Sequence, residues 1–475
     1  MTELKKTKIV ATLGPSTQSE EVLINMIKAG VDVFRVNFSH ALYSDVKERI
    51  DTIRKIGASL GKVPAILADL QGPKLRIGIM KRDIILRPND TITFVTGKEF
   101  EGTAERVYMN YALFPQDVKA GEQILLDDGK LIFKVLETNG INEVKAQVIQ
   151  GGPLLSKKGV NLPDTQVSLP ALTEKDKKDA LFAIEQDVDW IALSFVRNEN
   201  DLKELSELIK QNADQKIPVI AKIEKPEAVK NIKKIIAHCD GLMVARGDLG
   251  VEIPANEVPL IQKELVLIAK QARIPVIIAT QMMETMITSL TPTRAEVNDV
   301  ANSVMDGADA VMLSGETSIG NYPVQVIETM AKILKSVENS KLIRVPQEPP
   351  QIKTPRYVTK SVCYHAALMA NEIEAQAICT LTNSGYTAFQ ISAWRPNAHI
   401  LVFSSNQKII TRMNLLWGVR AFYYDKFVST DDTVIDVNRI ALEKGFVQKG
   451  DFLINLAAMP IQDKGMVNTL RVSQV

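Results

Sequence analysis

The segment VIAKIE (219–224) is a short apolar run that contains one lysine and ends in a glutamate. Similar runs rich in Val, Ile and Ala recur along the chain, and amphipathic stretches such as 19–29, 257–271 and 324–336 separate several of them. The other seven runs are KIVATLG (8–14), VFRVNFS (33–39), AILADLQ (65–71), WIALSFV (190–196), GLMVARGD (241–248), VIIATQM (276–282) and AVMLSGE (310–316). Buried strands that alternate with helices indicate parallel β/α units, and eight such units close a TIM (β/α)8 barrel.

The interval between the third and fourth runs is much longer than the others and lacks helical periodicity. It contains DTITFV (90–95), EQILLDDGKLIFKVLE (122–137) and EVKAQVIQGG (143–152), which alternate apolar and polar residues and break at DDG and NG turns. These patterns predict an inserted all-β domain over residues 73–170. An insertion after the third strand would lie over the catalytic end of the barrel, where it would act as a lid.

The proline-rich stretch RVPQEPPQIKTPR (344–356) is typical of a linker. Beyond it, helices alternate with the strand-like runs AQAICTLTN (375–383), HILVFSS (399–405), VRAFYYD (419–425) and DFLINLA (451–457). The predicted plan is therefore α/β: a barrel formed by residues 1–72 and 171–345, the β lid at 73–170, and a C-terminal α/β domain at 346–475.

The charge balance excludes any global attraction to nucleic acid or to an anionic membrane, because 57 Lys and Arg residues face 56 Asp and Glu residues. The first apolar run is too short for a signal peptide or a membrane span. Cys239, Cys363 and Cys379 are odd in number and lack C-x-x-C or histidine pairing, which argues against disulfides and zinc. We expect a cytoplasmic protein with reduced cysteines.

Reactive groups of such barrels lie at the carboxyl ends of the strands. Alternation with a period of two places Arg35, Asn37 and Ser39 on one face of their strand, and it places Lys222 and Glu224 on one face of theirs. The remaining polar residues at or just after predicted strand ends are Asp69, Asp248 and Thr280.

A lysine in a buried strand needs negative charge nearby, and either Glu224 or a bound phosphate would provide it. Glu224 and Asp248 together offer hard oxygen ligands for Mg²⁺ or Mn²⁺. Taken singly, a K-x-E pair is most often a surface ion pair and a GDLG segment a plain turn. Their joint placement predicts a metal-assisted enzyme that acts on a small phosphorylated acid, with Arg35, Lys222 and Arg76 neutralising the phosphoryl group.

The motifs of the chain resemble those of the pyruvate kinase family, in the same order and over essentially the whole length. They are TKIVATLGPST (7–17), VFRVNFSH (33–40), ADLQGPKLRIG (68–78), LSKKGVNLP (155–163), VARGDLGVEIP (244–254), IATQMMETMI (278–287), PTRAEVNDVANSVMDGADAVMLSGET (292–317) and TNSGYTA (382–388). The resemblance implies phosphoryl transfer from phosphoenolpyruvate to ADP, giving pyruvate and ATP, by a homotetramer.

The resemblance also implies a role for each matching residue. Lys222, Arg35 and Thr280 would be catalytic, with Arg35, Gly247, Asp248 and Thr280 binding the substrate and with Glu224 and Asp248 holding Mg²⁺ or Mn²⁺. The nucleotide would meet Asn37, Phe38, Ser39, His40, Arg76, Lys158 and Lys175.

One departure from the family concerns K⁺. Most familiar members carry Asp-Thr-Lys-Gly-Pro-Glu and need K⁺ near the transferred phosphate, whereas residues 69–74 here are DLQGPK. In the usual family pattern, the lysine, the glutamate and one K⁺ together carry a certain net charge. Gln71 and Lys74, at the same two positions of this chain, carry the same net charge without K⁺. We therefore expect the Lys74 ammonium to replace the ion, as in the K⁺-independent branch of the family. A residual K⁺ site would use Asn37, Ser39, Asp69 and the Leu70 carbonyl, and a solvated Lys74 on a turn is the plainer alternative.

The loop TNSGYT (382–387) precedes a helix predicted to begin near residue 388, and hydroxyls and amides at such a position form a phosphate cradle. In the family this loop binds a phosphorylated activator, so Thr382, Ser384 and Thr387 are the candidate effector residues. Asn383 stands where the family often has lysine, and the final loop QDKGMVNTLRV (462–472) differs from the commoner forms. AMP, a pentose phosphate and fructose bisphosphate all remain candidates.

Two rival functions remain open. A metal-dependent lyase or aldolase acting on pyruvate would use the carboxylates but would not need Lys222, Arg76 and a nucleotide lid. A catalytically inactive metabolite sensor would not need to retain Lys222, Glu224, Asp248 and Thr280, which are all present.

Overall fold

The computed structural model describes residues 5–39, 41–82, 84–340, 356–426, 429–459 and 465–475. Its centre is a closed barrel of eight parallel strands that follow one another in chain order, with Lys8 of the first strand opposite Ala310 of the last. The barrel predicted from the eight apolar runs is thus confirmed. The strands are Lys8–Thr12, Val33–Asn37, Ala65–Asp69, Trp190–Leu193, Val219–Ile223, Gly241–Ala245, Val276–Ala279 and Ala310–Leu313.

Helices surround the barrel, and several of their ends carry capping residues. Ser19, Thr173 and Thr293 each accept a hydrogen bond from the first helical turn, and Gly307 ends one helix in the left-handed conformation. These α-helices are Glu20–Ala29, Tyr43–Ser59, Glu174–Glu185, Glu199–Asn212, Pro226–Lys230, Ile232–Ile235, Arg246–Glu252, Val258–Ala272, Arg294–Asp306, Gly315–Ser318 and Pro323–Glu338, with 3₁₀ turns at Pro15–Thr17 and Glu284–Ile287. Their apolar faces and the outward side chains of the strands form the largest core.

The insertion after the third strand folds around its own core. Six strands form its main sheet, in the spatial order Val160–Asn161, Gln123–Leu126, Leu131–Thr138, Glu143–Gln150, Thr91–Val95 and Arg106–Tyr108, and Ile85–Leu86 pairs with Gly152–Pro153 beside it. Asp127, Asp128 and Gly129 form the predicted DDG turn with positive φ angles. The insertion was predicted to be all-β, but it also contains one short helix, Phe114–Asp117.

The C-terminal domain is an α/β sheet packed against the amino end of the barrel. Its parallel strands lie in the order Val419–Tyr423, His399–Ser404, Ala377–Leu381 and Phe452–Ala457, and Thr469–Gln474 adds an antiparallel edge. Its helices are Tyr357–Glu372, Tyr386–Ala393, Gln407–Arg412 and Thr430–Glu443, with a 3₁₀ turn at Met413–Leu415. The predicted linker lies outside the described residues, except for Arg356.

Several contacts connect this domain to the interior of the barrel. Leu415 packs in the cluster that fills the barrel, and Trp190 Nε1 donates a hydrogen bond of 3.1 Å to the Arg412 carbonyl. The strand that contains Trp190 leads directly into Ser194 at the opposite end. In the described part of the chain, no helix has the length and apolar character needed to cross a membrane.

Candidate active site

Three charged side chains meet at the carboxyl end of the barrel. Arg35 Nε donates a hydrogen bond of 2.6 Å to Asp69 Oδ2, and Lys222 Nζ lies 3.3 Å from Asp69 Oδ1. Burial alone would raise the pKa of Asp69, but the charges of Lys222 and Arg35 lower that pKa below its ordinary value. Asp69 is therefore an anion that holds two cations side by side.

Lys222 has further partners that fix its ammonium group. Its Nζ lies 2.9 Å from Glu224 Oε1 and donates a hydrogen bond of 2.7 Å to Ser194 Oγ, which in turn donates to the Leu70 carbonyl. Burial would lower the pKa of Lys222, but Asp69 and Glu224 raise it above its ordinary value. The lysine is therefore a fixed positive charge at neutral pH.

Glu224 and Asp248 form a pair of carboxylates, of which Glu224 is buried and Asp248 is half-buried. Glu224 follows its strand directly, whereas Asp248 lies in the first turn of the helix Arg246–Glu252, three residues beyond the end of its strand. Burial raises the pKa of both groups, Lys222 opposes this in both, and Asp248 further raises the pKa of Glu224. A cation would relieve the cost of two such charges.

The oxygen atoms of Glu224 and Asp248 fit Mg²⁺ or Mn²⁺. Within the described ranges, no group of three or more His, Cys, Asp or Glu side chains is arranged to hold a metal ion. Water and substrate oxygens would therefore have to complete the coordination shell, as is usual for Mg²⁺.

Thr280 has an unusual backbone conformation at the end of its strand. Its φ of 70° and the φ of 53° at Gln281 place two successive β-branched or long residues in the left-handed region. In this turn the Gly247 N–H donates a hydrogen bond of 2.6 Å to Thr280 Oγ1. Arg246 Nη2 donates a second one, of 2.8 Å, to the Thr280 carbonyl. Thr280 and the start of the Arg246–Glu252 helix thus form one unit.

A cleft lies between the lid and the barrel, and Lys74 and Asp248 both line it. Lys74 is exposed, but partial desolvation beside the cleft and the charge of Arg76 lower its pKa, while the charge of Asp248 opposes this shift. Lys74 therefore belongs to the electrostatic environment of the carboxylate pair.

The described residues assigned to the nucleotide are divided between the lid and the barrel, and none of them is among the residues that line this cleft. Arg76 Nη1 donates to the Lys157 carbonyl, and Lys158 pairs with Asp127 at 2.8 Å on the lid. Lys175 Nζ donates to the Phe38 carbonyl at 2.8 Å.

The turn after the second strand has both side-chain and backbone groups that differ in their availability to a ligand. The Phe38 ring is buried against other aromatic rings, so Phe38 offers a ligand only its backbone. Asn37 Oδ1 accepts a hydrogen bond from the Ser39 N–H at 3.1 Å. His40 lies outside the described residues.

The three candidate effector residues have different surroundings. Thr382 Oγ1 accepts a hydrogen bond from the Gly385 N–H at 3.0 Å, and Ser384 is exposed. Thr387 is buried, and its hydroxyl is bonded to Thr380 Oγ1 at 3.0 Å. The following helix begins at Tyr386, two residues earlier than predicted.

Several residues near the site were not predicted from the sequence. Ser194 directly follows the strand Trp190–Leu193, a position that carries polar groups on other strands, so a stricter use of that rule would have found it. Asn161 of the lid donates to Glu252 Oε1 at 2.8 Å, and Lys225 pairs with the same oxygen at 2.6 Å. Nothing in the sequence pattern indicates this contact between lid and barrel.

Comparisons with known proteins agree along the whole chain. The family described as "Pyruvate kinase, barrel domain" matches residues 4–327, and "Pyruvate kinase, alpha/beta domain" matches residues 360–473. Pyruvate kinase 2 of Synechocystis sp. is 42% identical over 99% of this chain and 79% of its own length, and the pyruvate kinase of Corynebacterium glutamicum is 41% identical over 98% of this chain and 97% of its own.

A solved structure gives the same result. The crystal structure of a pyruvate kinase from Cryptosporidium parvum superposes with a TM-score of 0.92 at 31% identity, covering 99% of this chain and 96% of that one. With two family matches, full-length relatives and a shared three-domain fold, the chain belongs to the pyruvate kinase family of phosphotransferases.

Proposed function

We propose that this chain transfers the phosphoryl group of phosphoenolpyruvate to ADP, giving pyruvate and ATP in the last step of glycolysis. The observation that carries the proposal is the pair of cations, Arg35 and Lys222, held on Asp69 beside the carboxylates Glu224 and Asp248. A phosphoryl group in transit spreads negative charge over its oxygens, and fixed cations stabilise that charge without reorganising.

Each residue has a distinct role in this proposal. Arg35 binds the phosphate of the substrate, and Lys222 stabilises the group as it moves between oxygens. Glu224 and Asp248 hold Mg²⁺ or Mn²⁺, which when bound neutralises charge on the phosphoryl and carboxylate oxygens. The backbone of Gly247 and Asp248 and the Thr280 hydroxyl receive the substrate carboxylate, with Thr280 next to the carbon that is protonated.

The nucleotide binds between the lid and the barrel. Arg76, Lys158 and Lys175 supply positive charge, and the turn formed by Asn37, Phe38, Ser39 and His40 supplies backbone and polar side-chain contacts. Closing the lid excludes water, which would otherwise compete with ADP for the phosphoryl group. The contact between Asn161 and Glu252 is suited to hold the lid in place.

We also propose that the enzyme is K⁺-independent. Lys74 is exposed on its turn, and support comes from its position with Asp248 in the lining of the cleft between lid and barrel. A second cation close to Lys74 would be repelled by it. Asn37, Ser39, Asp69 and the Leu70 carbonyl would be the ligands if K⁺ were bound after all.

The C-terminal domain is proposed to be regulatory, with a phosphorylated effector held by Thr382, Ser384 and the start of the helix Tyr386–Ala393. Thr387 would contribute its backbone N–H, because its hydroxyl already has a partner. We further propose a cytoplasmic homotetramer with the domain division 1–72 and 171–345, 73–170, and 346–475.

The test is an assay of pyruvate formation from phosphoenolpyruvate and ADP with Mg²⁺. Activity of the wild type supports the kinase, and Lys222→Met should abolish that activity. Lys216 is an exposed lysine before the same strand, so Lys216→Met should retain the activity. Turnover of the Lys222 variant near wild type would overturn the assigned role. If the wild type cleaves or condenses pyruvate without needing ADP, the lyase is the better description, and binding without turnover would favour a sensor.

A further inference from the structure

A second cluster of cations lies at the junction of the barrel and the C-terminal domain, away from the active site. Three cations and one carboxylate line a narrow cavity there, namely Lys270, Arg273, Arg395 and Asp309. Lys270 is on the barrel helix Val258–Ala272 and Asp309 precedes the last barrel strand, whereas Arg395 belongs to the C-terminal domain. The cluster therefore joins the two domains.

Two hydrogen-bond donors of this cluster have no partner among the described residues. Lys270 Nζ and Arg395 Nη1 are both inaccessible to solvent and unpaired, on side chains of residues that are 8% and 9% exposed. Gly307 is adjacent to both residues: its carbonyl accepts from Arg395 Nη2 at 2.6 Å, and a Cβ at Gly307 would lie 2.8 Å from Lys270 Nζ. The two unpaired donors thus belong to the same small region.

The charges of the cluster do not balance. Asp309 Oδ1 pairs with Arg395 Nη2 at 2.9 Å and its Oδ2 accepts from the Val276 N–H, and neither oxygen is bonded to Lys270 Nζ. Arg273 stacks on the Trp394 ring at 3.7 Å. Glu338 adds negative charge towards Arg395, but its oxygens are bonded to the N–H groups of Lys6 and Thr7.

We propose that this cavity binds one small inorganic anion, with chloride as the physiological candidate, between Lys270 Nζ and Arg395 Nη1. The space open to the centre of a water-sized sphere is about 10 Å³, which is room for one small particle. A water molecule would satisfy the donors but would leave the excess positive charge buried. An anion satisfies both requirements, since buried charges without a counter-charge cost several kcal/mol.

The rival explanation is that Lys270 remains neutral. Burial and the charge of Arg395 lower the pKa of Lys270 well below its ordinary value, which either a neutral amine or a bound anion would accommodate. The two explanations differ in their response to halide, because only the anion site gains stability from it.

The test combines crystallography with thermal unfolding of the full-length protein. Crystals grown with bromide should show an anomalous peak in contact with Lys270 Nζ and Arg395 Nη1. In solution, replacing sodium gluconate by sodium chloride at constant ionic strength should raise Tm in a saturable way.

The Tm rise should vanish in Lys270→Met and persist in Lys263→Met, an exposed lysine on the same helix. A water molecule at this position, a Tm that does not respond to chloride, or an equal response of both variants would overturn the proposal. A bromide peak without any effect on Tm would mean an adventitious ion only, and would overturn it as well. The bromide experiment and the chloride-dependent rise in Tm both use the wild type, so together they decide the matter even if the Lys270 variant fails to fold.

Discussion

The Ser194 hydroxyl accepts a hydrogen bond of 2.7 Å from the Lys222 ammonium and donates one to the Leu70 carbonyl. Ser194 follows the barrel strand whose first residue, Trp190, is bonded to the Arg412 carbonyl of the C-terminal domain. The strand therefore links the proposed regulatory domain to the cation proposed to stabilise the phosphoryl group. Ser194 acts through Lys222 and is a positioning residue.

Ser194→Ala should lower kcat about tenfold and leave KM for phosphoenolpyruvate nearly unchanged. A hydrogen bond to a charged group contributes about 1.5–3 kcal/mol, and part of this loss would appear in the transition state. Steady-state kinetics check the result. Ser194→Cys, which keeps a weak acceptor, should recover part of kcat, and equal changes in kcat and KM for both variants would contradict the positioning role.

Lys74→Glu should make the enzyme dependent on K⁺. Without the lysine charge, activity in tetramethylammonium buffer should fall about 10²-fold, the usual cost of removing an electrostatic stabiliser, and added K⁺ should restore it. The wild type should respond little to K⁺. Lys81→Glu, an exposed residue of the lid, is the matched control. A wild type that is active only with K⁺ would show that Lys74 does not replace the ion.

Replacing both Thr382 and Ser384 by alanine should weaken activation by a phosphorylated effector, because the loop would lose two hydroxyl groups. The half-saturating concentrations of AMP, ribose 5-phosphate and fructose 1,6-bisphosphate are the quantities to measure. Thr387→Val should instead lower stability by about 1 kcal/mol, since it breaks the buried bond to Thr380. Unchanged activation in the double variant would place the effector elsewhere.

The stability of the C-terminal domain should fall in acid because of His399. Burial, together with the charges of Lys6 and Arg420, lowers the pKa of His399 from 6.5 to about 4, and its ring packs against Phe446. In the unfolded chain His399 is protonated below about pH 6.5, whereas in the folded protein it is protonated only below about pH 4. The free energy of unfolding therefore decreases by about 3 kcal/mol across this window.

His399→Gln should flatten this dependence, while His365→Gln, at an exposed position, should keep it. Tm measured from pH 7 to pH 4 for the wild type and both variants checks the expectation. Parallel curves for the wild type and the His399 variant would contradict it.

Much of the fold was determined by local sequence pattern. Eight apolar runs became eight barrel strands, and the DDG turn lies where the alternation of the lid breaks. The period of two also placed Lys222 and Glu224 on one face, where they lie 2.9 Å apart. Such patterns are readable because side-chain direction along a strand depends only on the positions of neighbours in the chain.

Tertiary structure alone decided which side chains meet across strands. Asp69 contacts both Arg35 and Lys222 because the closed barrel brings their strands together. The separation of these residues along the chain does not predict that they are neighbours in space. Thr387 is buried, and its hydroxyl is bonded to Thr380 on the preceding strand. The unpaired donors of Lys270 and Arg395 arise only where two domains pack together, since burial and charge balance depend on the whole fold whereas periodicity depends on a few residues.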